Sequence, residues 1–206
     1  MKLRLTQNFV YLLILGLLPA VAFAETVRII TTNAPFFYES RAAIKTPDNK
    51  LAELMSRDYK YAKDEFTKHD LFQQIKPLMD KRIREAKKTK KIFVRIGGKL
   101  GNYDFDKNAF TTGFDKATFV NFGNGYAVTF INGEQLKMLP VPLNSAKTLS
   151  GALRKDRRAN YTIYAKIVGA MEQKFNRRGR KKTINVKITQ IEVTLQNGTK
   201  VGTKTL

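Results

Sequence analysis

Apolar and polar positions change period twice along this chain, and each change marks a change of element. From Leu51 onward, Leu51, Met55, Tyr59, Ala62, Phe66 and His69 recur every three or four residues, which predicts an amphipathic helix. Asp70 with Gln73 three residues on suggests the start of a second helix, in which Pro77 occupies a first turn or a kink. Leu78, Ile83 and Ala86 extend the apolar face to the run "KKTKK", whose cations suit a helix C-terminus. Before this region, "TVRIITT" reads as a short strand. The stretch 33–50 reads as a loop punctuated by Pro35 and Pro47.

Past Lys91 the period shortens to two. "IFVRI" alternates and ends at Gly97-Gly98, and residues 102–110 place Tyr103 and Phe105 on one strand face with Asp104 and Asp106 on the other. "ATFVNFGNGYAVTFING" predicts a hairpin, because Gly123-Asn124-Gly125 tolerates the positive φ of a tight turn. After the connector "EQLKMLPVP", the segment "NSAKTLSGALRKDRR" reads as a helix with Ala146, Leu149, Ala152 and Leu153 on its apolar side. Strands return at 160–171 and 183–195. Ile184, Val186 and Ile188 sit on even numbers but Ile191, Val193 and Leu195 on odd ones. A one-residue slip would turn half of these outward, so a β-bulge is expected near Thr189-Gln190. The order of elements predicts an α+β fold, with N-terminal helices packed on a mostly antiparallel sheet and one further helix inserted between strands.

The first residues belong to a different pattern. Lys2 and Arg4 precede a near-continuous apolar run from Phe9 to Leu18, Pro19 follows, and Ala22-Phe23-Ala24 offers small residues for a peptidase. This is the form of a secretory signal over residues 1–24, with cleavage expected before Glu25 and a single domain over 25–206. The apolar run is shorter than the roughly 20 residues a membrane anchor needs. A periplasmic or secreted location is therefore expected. The chain has no cysteine, so it has no disulfide, thiolate metal site or cysteine nucleophile.

Charge is the strongest compositional signal. The chain carries 38 Lys and Arg against 17 Asp and Glu. From Asn144 onward there are fifteen cations against only Asp156, Glu172 and Glu192. Two clusters stand out: Arg154, Lys155, Arg157 and Arg158 after the inserted helix, and Arg177, Arg178, Arg180, Lys181 and Lys182 in the run "NRRGRKK" between two strands. That run reads as a hairpin tip with Gly179 supplying the turn. If helix and hairpin lie side by side, nine cations line one surface. Arginine forks suit phosphate, so the expected partner is an anionic envelope component (lipopolysaccharide, anionic lipid or acidic polymer) or an acidic protein. Nucleic acid is less favoured, because only Phe175 stands near the tip to stack on bases. Exposed cations at a hairpin also protect strand edges and keep a protein soluble, and that reading stays open beside the first.

Catalytic chemistry finds little to build on. His69 is the sole histidine, and no GxSxG accompanies the four serines. Asp104 and Asp106 form the best carboxylate pair, the basis for an alternative hydrolase-like reading. "GGKLG" lacks the spacing of a phosphate-binding loop, and no cofactor is expected. The series "YDF", "NGYAVTFING", "LPVP", a basic helix and "YTIYAKIVGA" resembles exported bacterial proteins that share a domain of unknown function, over roughly residues 92 to 206. The resemblance implies a periplasmic setting and transfers no functional residue. The expectation is a non-enzymatic binding or accessory protein that works through its basic clusters.

Overall fold

A long antiparallel hairpin, strands β8 (Arg158–Lys174) and β9 (Arg180–Leu195), forms the spine of the computed structural model. The structure describes residues 26–175 and 179–206. Ahead of the spine come β1 (Val27–Arg28), α1 (Ala34–Glu39), α2 (Asp48–Met55), α3 (Arg57–Tyr61), α4 (Glu65–Lys88) and β2 (Lys91–Lys99). Then follow β3 (Tyr103–Asp104), β4 (Ala109–Thr111), β5 (Phe119–Gly123), β6 (Tyr126–Phe130), β7 (Met138–Pro140) and α5 (Leu143–Lys155); β10 (Lys200–Thr205) closes the chain. The main sheet runs β1-β2-β8-β9-β6-β5, and β10 also pairs with β9. Strands β3, β4 and β7 make a second, three-stranded sheet. The fold is α+β as the pattern of elements predicts, mostly antiparallel, with parallel pairing at β1–β2 and β6–β9. Among the described residues, no helix is long and apolar enough to cross a membrane.

The bulge expected near Thr189 is present. Tyr164 pairs with Gln190 and Ala165 with Ile188, which leaves Thr189 as the extra residue. Its effect is the one the alternation demands: Ile184, Val186 and Ile188 before it and Ile191, Val193 and Leu195 after it are all buried. A second bulge, which the apolar pattern does not announce, leaves Val168 unpaired between Ile167 and Gly169. The β5–β6 hairpin also forms as predicted, with Asn124 at φ 48° between two glycines of positive φ.

Other expectations need correction. The supposed loop 33–50 contains α1, in which every residue from Ala34 to Glu39 is buried. Pro35 sits in its first turn, where a missing N–H costs nothing, rather than breaking it. The single stripe from Leu51 is three helices. Ser56 is extended, ends α2 and caps α3 by accepting from the Tyr59 amide at 3.1 Å. Helix α4 starts at the Asp64 cap, which accepts from the Thr67 amide at 2.8 Å, and it runs past Asp70 and through Pro77. Phe66 is consequently 85% exposed, and His69 is exposed too. Strand β2 continues through Gly97 and Gly98, paired with Asn160 and Ala159 of β8, and glycine suits position 98 because a Cβ there would come within 2.9 Å of the Tyr161 ring. The connector at 134–142 contains β7, paired with β4.

Candidate anion-binding surfaces

The basic run falls at the end of the β8–β9 pair, where Lys174 lies opposite Arg180. Gly179 adopts φ +71°, and the Phe175 amide donates to the Gly179 carbonyl at 2.8 Å. Arg177 and Arg178 lie outside the described residues. The arm does not stand upright. Phe119, Thr129, Asn185 and Gly169 lie level across β5, β6, β9 and β8. Phe175 is six residues beyond Gly169, just past the end of β8, yet its ring sits 4.5 Å from that of Phe119. The arm therefore leans across the sheet toward β5 and walls a groove of about 650 Å³. Thr129 and Asn185 share a 2.6 Å hydrogen bond in its lining. Lys116, Gln173, Lys174 and Phe175 line it as well. Lys116 is 3.4 Å from Glu134.

The tip cations are not equivalent. Arg180 is 73% exposed and 3.9 Å from Glu172, a loose pair in water. Lys174 is exposed and Lys181 half-buried. Lys182 does not belong with them. It points to the root of the arm, donates to the Thr46 hydroxyl, and lies 5.5 Å from the Tyr126 ring and 5.9 Å from the Tyr38 ring. Thr46 in turn donates its amide to the buried Glu39 carboxylate at 2.9 Å and its hydroxyl to the other carboxylate oxygen. The Tyr126 hydroxyl lies 3.3 Å from Thr46. Burial pushes the Tyr126 phenol up to about 12, with the Glu39 charge adding to the rise and the Thr46 hydrogen bond opposing it.

This network is a brace between the α1–α2 connection and the root of the hairpin. No signal in the sequence marks it, since Thr46 and Lys182 are 136 positions apart. Glu39→Leu should orphan a buried amide and a buried hydroxyl and cost about 2–3 kcal/mol. For a chain of this size that corresponds to a melting temperature lower by about 5–10 °C. Glu39→Gln keeps an acceptor and should cost clearly less. Equal melting curves for Glu39→Leu and the parent would show that the brace carries no stability.

The second cluster divides in the same manner. Arg157 is structural: its Nε donates to the Leu100 carbonyl at 2.9 Å, its guanidinium also reaches the Gly101 carbonyl, and its own carbonyl accepts from the Leu100 amide. Arg158 holds Asp156 through both carboxylate oxygens at 3.0 and 3.1 Å, which keeps the Asp156 carboxyl below its usual range. Arg154 and Lys155 are exposed in the last turn of α5. The two clusters are not side by side. They occupy opposite ends of β8, whose 17 residues rising about 3.3 Å each separate them by roughly 50 Å. The condition for one surface of nine cations, helix and hairpin side by side, is therefore not met among the described residues.

Asp104 and Asp106 do not face one way from a strand. Strand β3 ends at Asp104, and residues 105–108 turn. The Asp104 carboxylate accepts from the Asp106 amide at 3.1 Å, the Lys107 amide at 3.0 Å and Lys107 Nζ at 2.9 Å. The Lys107 bonds hold its carboxyl below the usual range. Its lone pairs are spent on the turn, which is what an Asp at this place in a hairpin commonly does.

No curated protein and no solved structure matches the chain. The resemblance read from the sequence holds in a coarser form and over a shifted span: residues 53–149, from within α2 to within α5, match the family model described as Domain of unknown function (DUF4852).

Proposed function

We propose that this chain is an exported, non-enzymatic binding or accessory protein that meets an anionic envelope component or an acidic partner protein through its basic surfaces. The observation that carries this reading is the leaning arm. It sets Lys174 in the lining of a polar groove and carries Arg180 and Lys181 on the paired strand, with Glu172 the one acid paired to them among the described residues. The signal pattern of residues 1–24 supports a setting outside the cytoplasm, where phosphates and carboxylates of the envelope are the abundant polyanions. Cations on a tilted, braced hairpin are partly oriented before a partner arrives, which lowers the ordering cost of contact.

Duplex DNA serves as a calibrated polyanion probe. With Lys182 committed to Thr46, four of the five cations in the run NRRGRKK remain: Arg177, Arg178, Arg180 and Lys181. At about −0.9 per phosphate contact, log K should fall against log salt with a slope near −3.6 from the tip. Changing Arg180 and Lys181 to Ser should flatten it by about 1.8, and lipopolysaccharide binding should weaken in parallel. An unchanged slope would remove the hairpin from the proposal.

A further inference from the structure

The end of the molecule opposite the hairpin holds a cleft of different chemistry. It lies between α5 and the β3–β4 hairpin and encloses about 370 Å³, within the range of small-molecule sites. One wall is aromatic. Tyr103 packs edge-on to Phe105 at 5.2 Å and to Phe110 at 4.9 Å. The Tyr103 hydroxyl donates to the Val141 carbonyl at 2.8 Å, which fixes the wall. Phe105, at the turn, is 73% exposed. The facing wall is the apolar side of α5, with Leu143, Ala146 and Leu153.

The rim is cationic. Lys147 and Arg154 lie on α5 beside the cleft, seven residues and therefore two helical turns apart, about 10 Å along the axis. Among the described residues neither has an ion-pair partner. Asp156, the acid nearest to them in sequence, is engaged by Arg158, and Asp104 at the end of β3 is engaged by Lys107. Arg157 also lines the site and is immobilised by two carbonyls.

We propose that this cleft binds a single-chain anionic amphiphile, with its hydrocarbon chain against Tyr103, Phe105 and Phe110 and its phosphate or carboxylate head between Lys147 and Arg154. Three observations favour this occupant. The floor is apolar and aromatic, so it rewards a buried chain rather than a polar polymer. The space is small, so it suits one chain rather than a helix or a bilayer. The unpaired cations stand only at the mouth, where a head group remains in water and an anion is complemented.

The test uses the full chain and dodecyl phosphate below its micelle-forming concentration, followed by calorimetry and by the melting temperature. Saturable one-to-one binding is expected, and the melting temperature should rise with ligand, as it does when a ligand prefers the folded state. The double variant Lys147→Ser, Arg154→Ser should bind at least tenfold more weakly. Dodecyl maltoside, which has the same chain and no charge, should do likewise, and inorganic phosphate alone should not bind in the millimolar range. Ser150→Trp, at an exposed helix position on the cleft, should fill the space and abolish binding while the unliganded melting temperature stays within a few degrees. The proposal falls if dodecyl phosphate shows no saturable binding or lowers the melting temperature. It falls equally if the neutral amphiphile binds as well, or if the double variant binds like the parent. The variant Arg180→Ser, Lys181→Ser should bind dodecyl phosphate normally, so the hairpin and the cleft stand or fall separately.

Discussion

As pH rises from 10 through and beyond 12 the protein should lose up to about 5.5 kcal/mol of folding stability. Burial pushes the phenols of Tyr126 and Tyr161 up to about 12, whereas an unfolded chain releases such protons near 10. A folded value above the unfolded one means that the contribution is complete below pH 10 and is lost as pH climbs through 12. In that window the unfolded chain sheds protons that the folded chain must keep, so unfolding gains. Two units on each of two groups, at about 1.4 kcal/mol per unit, give the stated loss. Both rings are almost fully buried, and the Tyr161 hydroxyl donates to the Lys99 carbonyl at 3.0 Å. Denaturant midpoints taken every half unit of pH would follow the fall. In Tyr161→Phe the fall should be about half as steep. If the double variant Tyr126→Phe, Tyr161→Phe follows the parent curve, burial of these phenols is not the cause.

Phe114→Ala should cost about 3–5 kcal/mol, as large-to-small changes at buried aromatic positions do. Phe114 is 4% exposed and sits between β4 and β5, with its ring edge-on to Tyr161 at 5.5 Å and to Phe130 at 6.3 Å. It thereby ties the path out of the small sheet to two strands of the large one. At roughly 3 °C per kcal/mol for a chain of this length, the melting temperature should drop by about 10–15 °C. Phe114→Leu keeps most of the volume and should lose less than half as much. A fall of under 2 °C for Phe114→Ala would mean that the ring packs loosely and the two sheets are held elsewhere.

Much of the β architecture was legible because its cues are local. The GNG turn states its own conformation, and the phase change from Ile188 to Ile191 demanded the bulge that Thr189 provides. Helix α5 was legible for the same reason, since Ala146, Leu149 and Leu153 are its buried face. Helix α1 was not. Its six residues are buried all round, so no amphipathic period betrays them, and Pro35 reads as punctuation without its neighbours. Likewise, the stripe through Phe66 and His69 has the spacing of a buried face but begins a helix whose core side is Ile75, Met79 and Ala86. At the candidate sites, the residue types were visible and their allegiances were not. Lys182 looks like a tip cation until Thr46 and two tyrosines are brought beside it. Arg157 looks free until the Leu100 and Gly101 carbonyls meet it. The cleft between α5 and the β3–β4 hairpin was hidden for the same reason, because its two walls come from separate parts of the chain.

Strand β9 has three neighbours: β8 along one side, then β6 and β10 in succession along the other. Its partners in β6 lie more than fifty positions upstream, and closing such distant pairs is what makes a topology slow to form. A chain made from its N-terminus onward would carry β6 and β8 as unfinished edges until residues 180–205 appear. Only then would the sheet lock, so assembly is deferred to the last moments of synthesis. On the proposal that the chain is exported, that lateness is useful: a polypeptide crossing a narrow pore cannot lock its sheet before its final strands arrive.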